Sequence, residues 1–153
     1  MKIIVSKFWL LAAIAWCVVI FMFSNAPANV SAGQSSSVKE IIINVVSSIS
    51  NNKTVITDFA IRKTGHVLEY TLLGALLALS LYPYNWSKRF IIESSLFCLA
   101  FSVIYACTDE LHQYFISGRS MRLTDVFIDS AGALFGIIVI RVCMNYIKKS
   151  HRI

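Results

Sequence analysis

Four long apolar runs, Phe8–Phe23, Thr64–Leu81, Phe90–Cys107 and Val126–Tyr146, constrain this chain more than any other feature. Each approaches the roughly 17–25 residues that a helix needs to cross the hydrocarbon core of a bilayer. Lipid offers no partners to bare backbone groups, so such runs must be helical. Composition agrees. Hydrophobic residues make up 57% of the chain and charged residues 14%, against roughly 45–50% and about 25% in a soluble domain. Disorder is excluded, because apolar surface is ample, and there is too little charge to coat a water-soluble globule. The expected fold is an all-α membrane protein. One domain, 1–153, holds four transmembrane helices at about 8–23, 64–81, 90–107 and 126–146.

The net charge of +6 does not point to nucleic acid, because the basic residues form short clusters between the apolar runs. Lys2 and Lys7 precede the first run, Lys88 and Arg89 separate the second from the third, and Lys148, Lys149 and Arg152 follow the fourth. Four crossings put all of these on one side, which the positive-inside rule makes cytoplasmic. The expectation is a multi-pass membrane protein with both termini cytoplasmic. The first run also reads as a signal peptide, since Ala26-Pro27-Ala28 resembles a cleavage site. The cysteines form no C-x-x-C pair, so neither a disulfide nor a zinc framework is expected.

Residues 24–63 and 108–125 then lie outside the membrane. Ser37 and Glu40 make a capping-box pattern, and Val38, Ile41, Ile42, Val45, Val46 and Ile49 follow at helical spacing. The run is too short to span. It predicts an amphipathic helix at about 38–50, either lying in the outer interface or packed on the bundle as a lid.

Chemically capable side chains gather at the outer ends of the last three spans. Arg62, His66, Glu69 and Tyr70 share one face by i, i+4, i+7, i+8 spacing, with Lys63 beside them. Tyr105, Asp109 and His112 repeat the i, i+4, i+7 pattern, Gln113 extends it, and Glu110 is adjacent. Arg119, Arg122, Asp125 and Asp129 follow in the loop and last span, ahead of Gly132-x-x-x-Gly136. A charge at the bilayer centre costs roughly 2.5–3.5 kcal/mol even on the milder scale, so such residues should face inward and pair. Each group taken alone has a bland reading: an intrahelical bond, a solvated loop, or helix packing at the glycines. Their arrival from three spans at one end argues for a shared polar pocket.

The same residues carry a family resemblance. Arg62-Lys63-Thr-Gly-His66-Val-Leu-Glu69-Tyr70, then Tyr105-Ala-Cys-Thr-Asp109-Glu110-Leu-His112-Gln113, then Asp125-Val-Phe-Ile-Asp129-Ser-Ala-Gly132 resemble the VanZ-like family, as does Phe23-Ser24-Asn25. The resemblance implies a multi-span membrane protein. The founding member lowers susceptibility to teicoplanin, a lipoglycopeptide that binds cell-wall precursors.

Three functions fit the residues. In an enzyme, His66 or His112 would carry a proton and Glu69, Asp109 or Glu110 would be its partner or a nucleophile. Arg62, Lys63, Arg119 and Arg122 would hold a phosphate or carboxylate of a lipid-linked precursor. Tyr70, Tyr105, Gln113, Asp125 and Asp129 would complete the binding surface. His112, Asp109, Glu69 and Asp129 are conceivable metal ligands, but no spacing is diagnostic, so no metal is assigned and the cofactor is unknown. In a binding or transport protein the same cluster grips membrane lipid, precursor or glycopeptide without chemistry, with Gly132 and Gly136 available for a homo-oligomer contact. In a structural protein it is an ion-pair network.

Overall fold

The computed structural model describes residues 3–49, 57–83 and 87–150. The elements are β1 (Ile3–Val5), α1 (Lys7–Ser24), α2 (Ala28–Ile49), α3 (Asp58–Ser80), β2 (Leu81–Pro83), α4 (Lys88–Tyr114) and α5 (Leu123–Ser150). The starts of α3 and α4 follow from capping chemistry. The Thr57 hydroxyl accepts from the Ala60 N–H at 3.1 Å, and the Ser87 hydroxyl from the Phe90 N–H at 3.2 Å. Beyond α4 the chain turns at Gly118, whose φ of 76° suits a residue without Cβ.

α1 and α4 run in one direction, α3 and α5 in the other. Antiparallel pairing of β1 with β2 sets the start of α1 beside the end of α3. Late in α5, Arg141 reaches the Leu81 carbonyl at that same end. At the opposite end Gln113, closing α4, donates to Ser24, closing α1. One end is therefore basic, with Lys7, Lys88, Arg89, Lys148 and Lys149; the other carries mixed charge.

α3 is the central helix, packed against α5, α1, α4 and α2. Its second half buries Tyr70, Leu73, Leu76, Leu77 and Ala78. The closest approach is to α5. A Cβ on Gly136 would run into the Thr71 carbonyl, one on Gly74 into the Ala133 carbonyl, and one on Gly132 would stand 2.7 Å from the Val67 carbonyl. The Gly132-x-x-x-Gly136 face is thus a helix-packing face, and it packs on α3 within the chain.

The bundle is apolar on its outside. Phe97, Ile104, Phe127, Phe135 and Ile138 are exposed, while Ser94, Cys98, Ser102, Ala106 and Ala133 are buried. Small residues inside and large apolar residues outside suit helices whose solvent is lipid. α1, α4 and α5 are long and apolar enough to cross a membrane, which makes this a membrane protein. The expected fourth, α3, is long enough at 23 residues but falls short in apolarity. Arg62, Lys63, His66 and Glu69 fill its first half.

Two further expectations change. The helix predicted at 38–50 begins ten residues earlier, at Ala28. Ser37 is no cap: its hydroxyl donates to the Gly33 carbonyl at 3.1 Å, as that of Ser36 does to Ala32 at 3.0 Å. Such back-bonds satisfy serine inside a helix. Most side chains of α2 from Asn44 onward lie outside the described residues, so its polar face is described only in its first part. The third span, read to Cys107, continues as helix to Tyr114, which keeps its polar residues on a rigid element.

Candidate functional site

The mixed-charge end is assembled from α3, α4 and α5, closed by the end of α1, the start of α2 and the α4–α5 loop. On α3, Lys63 pairs with Asp125 of α5. One turn deeper, His66 Nδ1 stands 3.9 Å from Glu69 Oε2 on its own helix and 3.9 Å from Asp129 Oδ1 on α5. These separations exceed a hydrogen bond, so the contacts are electrostatic. Asp129 is fully buried. Neither of its oxygens, nor the Tyr70 hydroxyl, has a hydrogen-bond partner among the described residues. Buried polar groups are ordinarily paired, and each exception asks for a reason.

At this end of α4 the buried polar residues are Asp109, Glu110 and Gln113. Gln113 donates to Asp109 Oδ2 at 3.0 Å and to the Ser24 hydroxyl at 3.3 Å, tying α4 to α1. Glu110 Oε2 accepts the Arg122 backbone N–H at 2.9 Å, which pins the α4–α5 loop. The second oxygens of both acids, Asp109 Oδ1 and Glu110 Oε1, lack partners among the described residues.

The expected face of Tyr105, Asp109 and His112 divides. Tyr105 donates its hydroxyl to the Cys17 carbonyl at 2.6 Å. His112 stacks on Phe21 of α1 with ring centroids 4.6 Å apart. Both therefore turn toward α1. The set His112, Asp109, Glu69 and Asp129, conceivable as metal ligands, is not brought together: no group of three such side chains able to hold a metal stands among the described residues.

Two recesses open beside His66. One, of about 380 Å³, lies among α1, α2 and α3, with Ser24, Ser31, Val38, Arg62, Glu69 and Arg119 on its walls. Its neighbour, about 180 Å³, is walled by Lys63, Gln113, Arg122 and Asp125. His66, Arg62, Ser31 and Arg119 border both. The site is layered as a result. Arg62, Lys63, Arg119 and Arg122 form a cationic rim, His66 and Glu69 stand below it, and Asp109 and Asp129 lie buried behind. Burial holds the Arg119 guanidinium below its ordinary value, opposed by nearby Asp109, and its Nη2 donates to the Phe23 carbonyl at 3.3 Å.

Periodicity alone missed the contribution of the end of α1 and the start of α2: Phe21, Ser24 and Ser31. Among these only Ser24 carried a signal, in the Phe23-Ser24-Asn25 part of the family pattern, whereas Val38 stands on the face read at helical spacing. A model of the VanZ/LLP1 family matches residues 8–144. No curated protein and no solved structure matches. The chain belongs to the VanZ/LLP1 family.

Proposed function

We propose that this VanZ/LLP1 protein takes an anionic, lipid-linked component of the cell envelope into its mixed-charge end, at the outer leaflet of a bacterial plasma membrane. In this reading α3 is a fourth span, both termini are cytoplasmic, and α2 covers the site from the outer interface. The observation that carries the proposal is His66 set between Glu69 and Asp129 beneath a rim of four cations. The rim suits a phosphate or carboxylate. An imidazole flanked by two carboxylates can accept and return a proton. We extend the reading to glycopeptides: altering or sequestering a precursor would lower susceptibility to teicoplanin.

A reading without chemistry rests on the Lys63–Asp125 pair and the Gln113 bonds to Asp109 and Ser24, which lock the helices together. The test is a comparison of lipid extracts and teicoplanin susceptibility in cells with and without the protein, repeated with His66→Gln and Asp109→Asn. Each variant keeps approximate size and removes acid–base capacity. Loss of the effect at unchanged membrane level supports proton handling. A full effect in both variants excludes it, and loss of inserted protein favours the structural role.

A further inference from the structure

The opposite, basic end holds a recess of its own. A groove of about 560 Å³ runs between α4 and α5, lined by Lys88, Arg141, Asn145, Lys148 and Lys149. No carboxylate among the described residues lines it. Its remaining walls are Ile91 and Val142. Arg141 is the unexpected member, a guanidinium only 8% exposed in the last span. It donates to the Ser95 hydroxyl at 3.2 Å, the Ser94 hydroxyl at 2.9 Å and the Leu81 carbonyl at 3.3 Å. All three acceptors are neutral, and no ion pair to Arg141 occurs among the described residues. A buried charge held by neutral acceptors gains from a counter-ion. Those bonds use three of its five N–H groups.

Ordinary topology anchors are exposed lysines that need no groove. Here the cations surround a concavity whose floor is a buried arginine fixed by three bonds. The groove lies between two membrane-crossing helices at the level of their ends, where lipid head groups sit, and its apolar walls suit the glycerol and first methylenes of a lipid. We propose that this groove binds the phosphate of an anionic phospholipid, with Arg141 and Lys88 on the phosphate oxygens and Lys148 and Lys149 at its mouth. The proposal is independent of the mixed-charge site and of which leaflet each end faces.

The test is lipid retention by the purified full-length protein in detergent, read by native mass spectrometry. Phosphatidylglycerol is the probe, phosphatidylcholine the zwitterionic control and inorganic phosphate the competitor. Phosphatidylglycerol should be retained at least about fivefold over phosphatidylcholine. The double variant Lys88→Gln with Lys148→Gln alters no buried side chain and should lower that preference by about tenfold or more. Arg89→Gln stands at the same end outside the groove, paired with Glu93 on the surface, and should change nothing. Equal retention of the two lipids overturns the proposal. So does an equal loss in Arg89→Gln, which would mean diffuse surface attraction. Displacement of phosphatidylglycerol by an equal concentration of inorganic phosphate would overturn the lipid assignment and make the site one for free phosphate.

Discussion

Asp129 concentrates the tension in this molecule. Its carboxyl group is fully buried, its oxygens have no hydrogen-bond donor among the described residues, and the His66 imidazole stands 3.9 Å away. A buried acid without hydrogen-bond partners costs stability, which points to a role other than holding the fold. Asp129→Asn should therefore leave the unfolding temperature of detergent-purified protein unchanged or raised, a stability effect within about 1 kcal/mol. The same variant should abolish the teicoplanin or lipid-extract effect. A fall in unfolding temperature with the cellular effect intact would mark Asp129 as structural. At this scale the sequence was partly legible. Spacing shows which residues share a helix face, but not which neighbour that face meets. Glu110 and His112 stand two residues apart on α4, yet one accepts from the Arg122 backbone of the α4–α5 loop and the other stacks on Phe21 of α1. The end of α4 touches α1 on one side and the α4–α5 loop on the other. Arg141 escaped notice because a lone arginine late in a span reads as a flanking anchor.

Among the elements, α3 decides the fold. It is flanked on several sides, and its close pairing with α5 rests on Gly74, Gly132 and Gly136. Gly136→Val should drive a side chain into the Thr71 carbonyl. The helices must separate, at a cost of roughly 1–3 kcal/mol or more, and the yield of folded protein in mild detergent should fall. Gly33→Ala in α2 meets nothing within 4 Å. It should hold or improve thermal stability by up to about 1 kcal/mol, because alanine is the better helix former. Size-exclusion profiles and melting curves of the two variants distinguish glycine as a packing device from glycine as a tolerated residue. If Gly136→Val behaves like wild type, the α3–α5 crossing is wrong. The glycine pair was legible as helix packing, though its partner was not. The start of α2 was illegible for a different reason. Ser31 to Ser37 is poor in helix formers and follows Pro27, so it reads as a loop. Inside the helix the serine hydroxyls of Ser36 and Ser37 satisfy themselves on carbonyls one turn back.

For the whole molecule, the open question of consequence is how often the chain crosses. α1, α4 and α5 have the length and apolarity to do so. The directions of the helices bear on it. α1 and α4 run parallel, so a chain that crosses in both has to return between them, and α3 runs antiparallel to both through the centre of the bundle. Its first half is polar for a reason the packing supplies: Lys63 pairs with Asp125 of α5, and Arg62, His66 and Glu69 line the recess. A central helix can be polar because its neighbours, rather than its composition, shield it. The prediction is four crossings, with Ser36 and Arg89 on opposite sides. In a background with Cys17, Cys98, Cys107 and Cys143 replaced, Ser36→Cys should react with a membrane-impermeant maleimide in intact cells. Arg89→Cys should react only after permeabilisation. Both positions are exposed, so neither should be hidden by the bundle. Labelling of both from outside would mean that α3 does not cross. Labelling of Arg89→Cys alone from outside would invert the protein and turn the mixed-charge site, with its proposed envelope ligand, toward the cytoplasm.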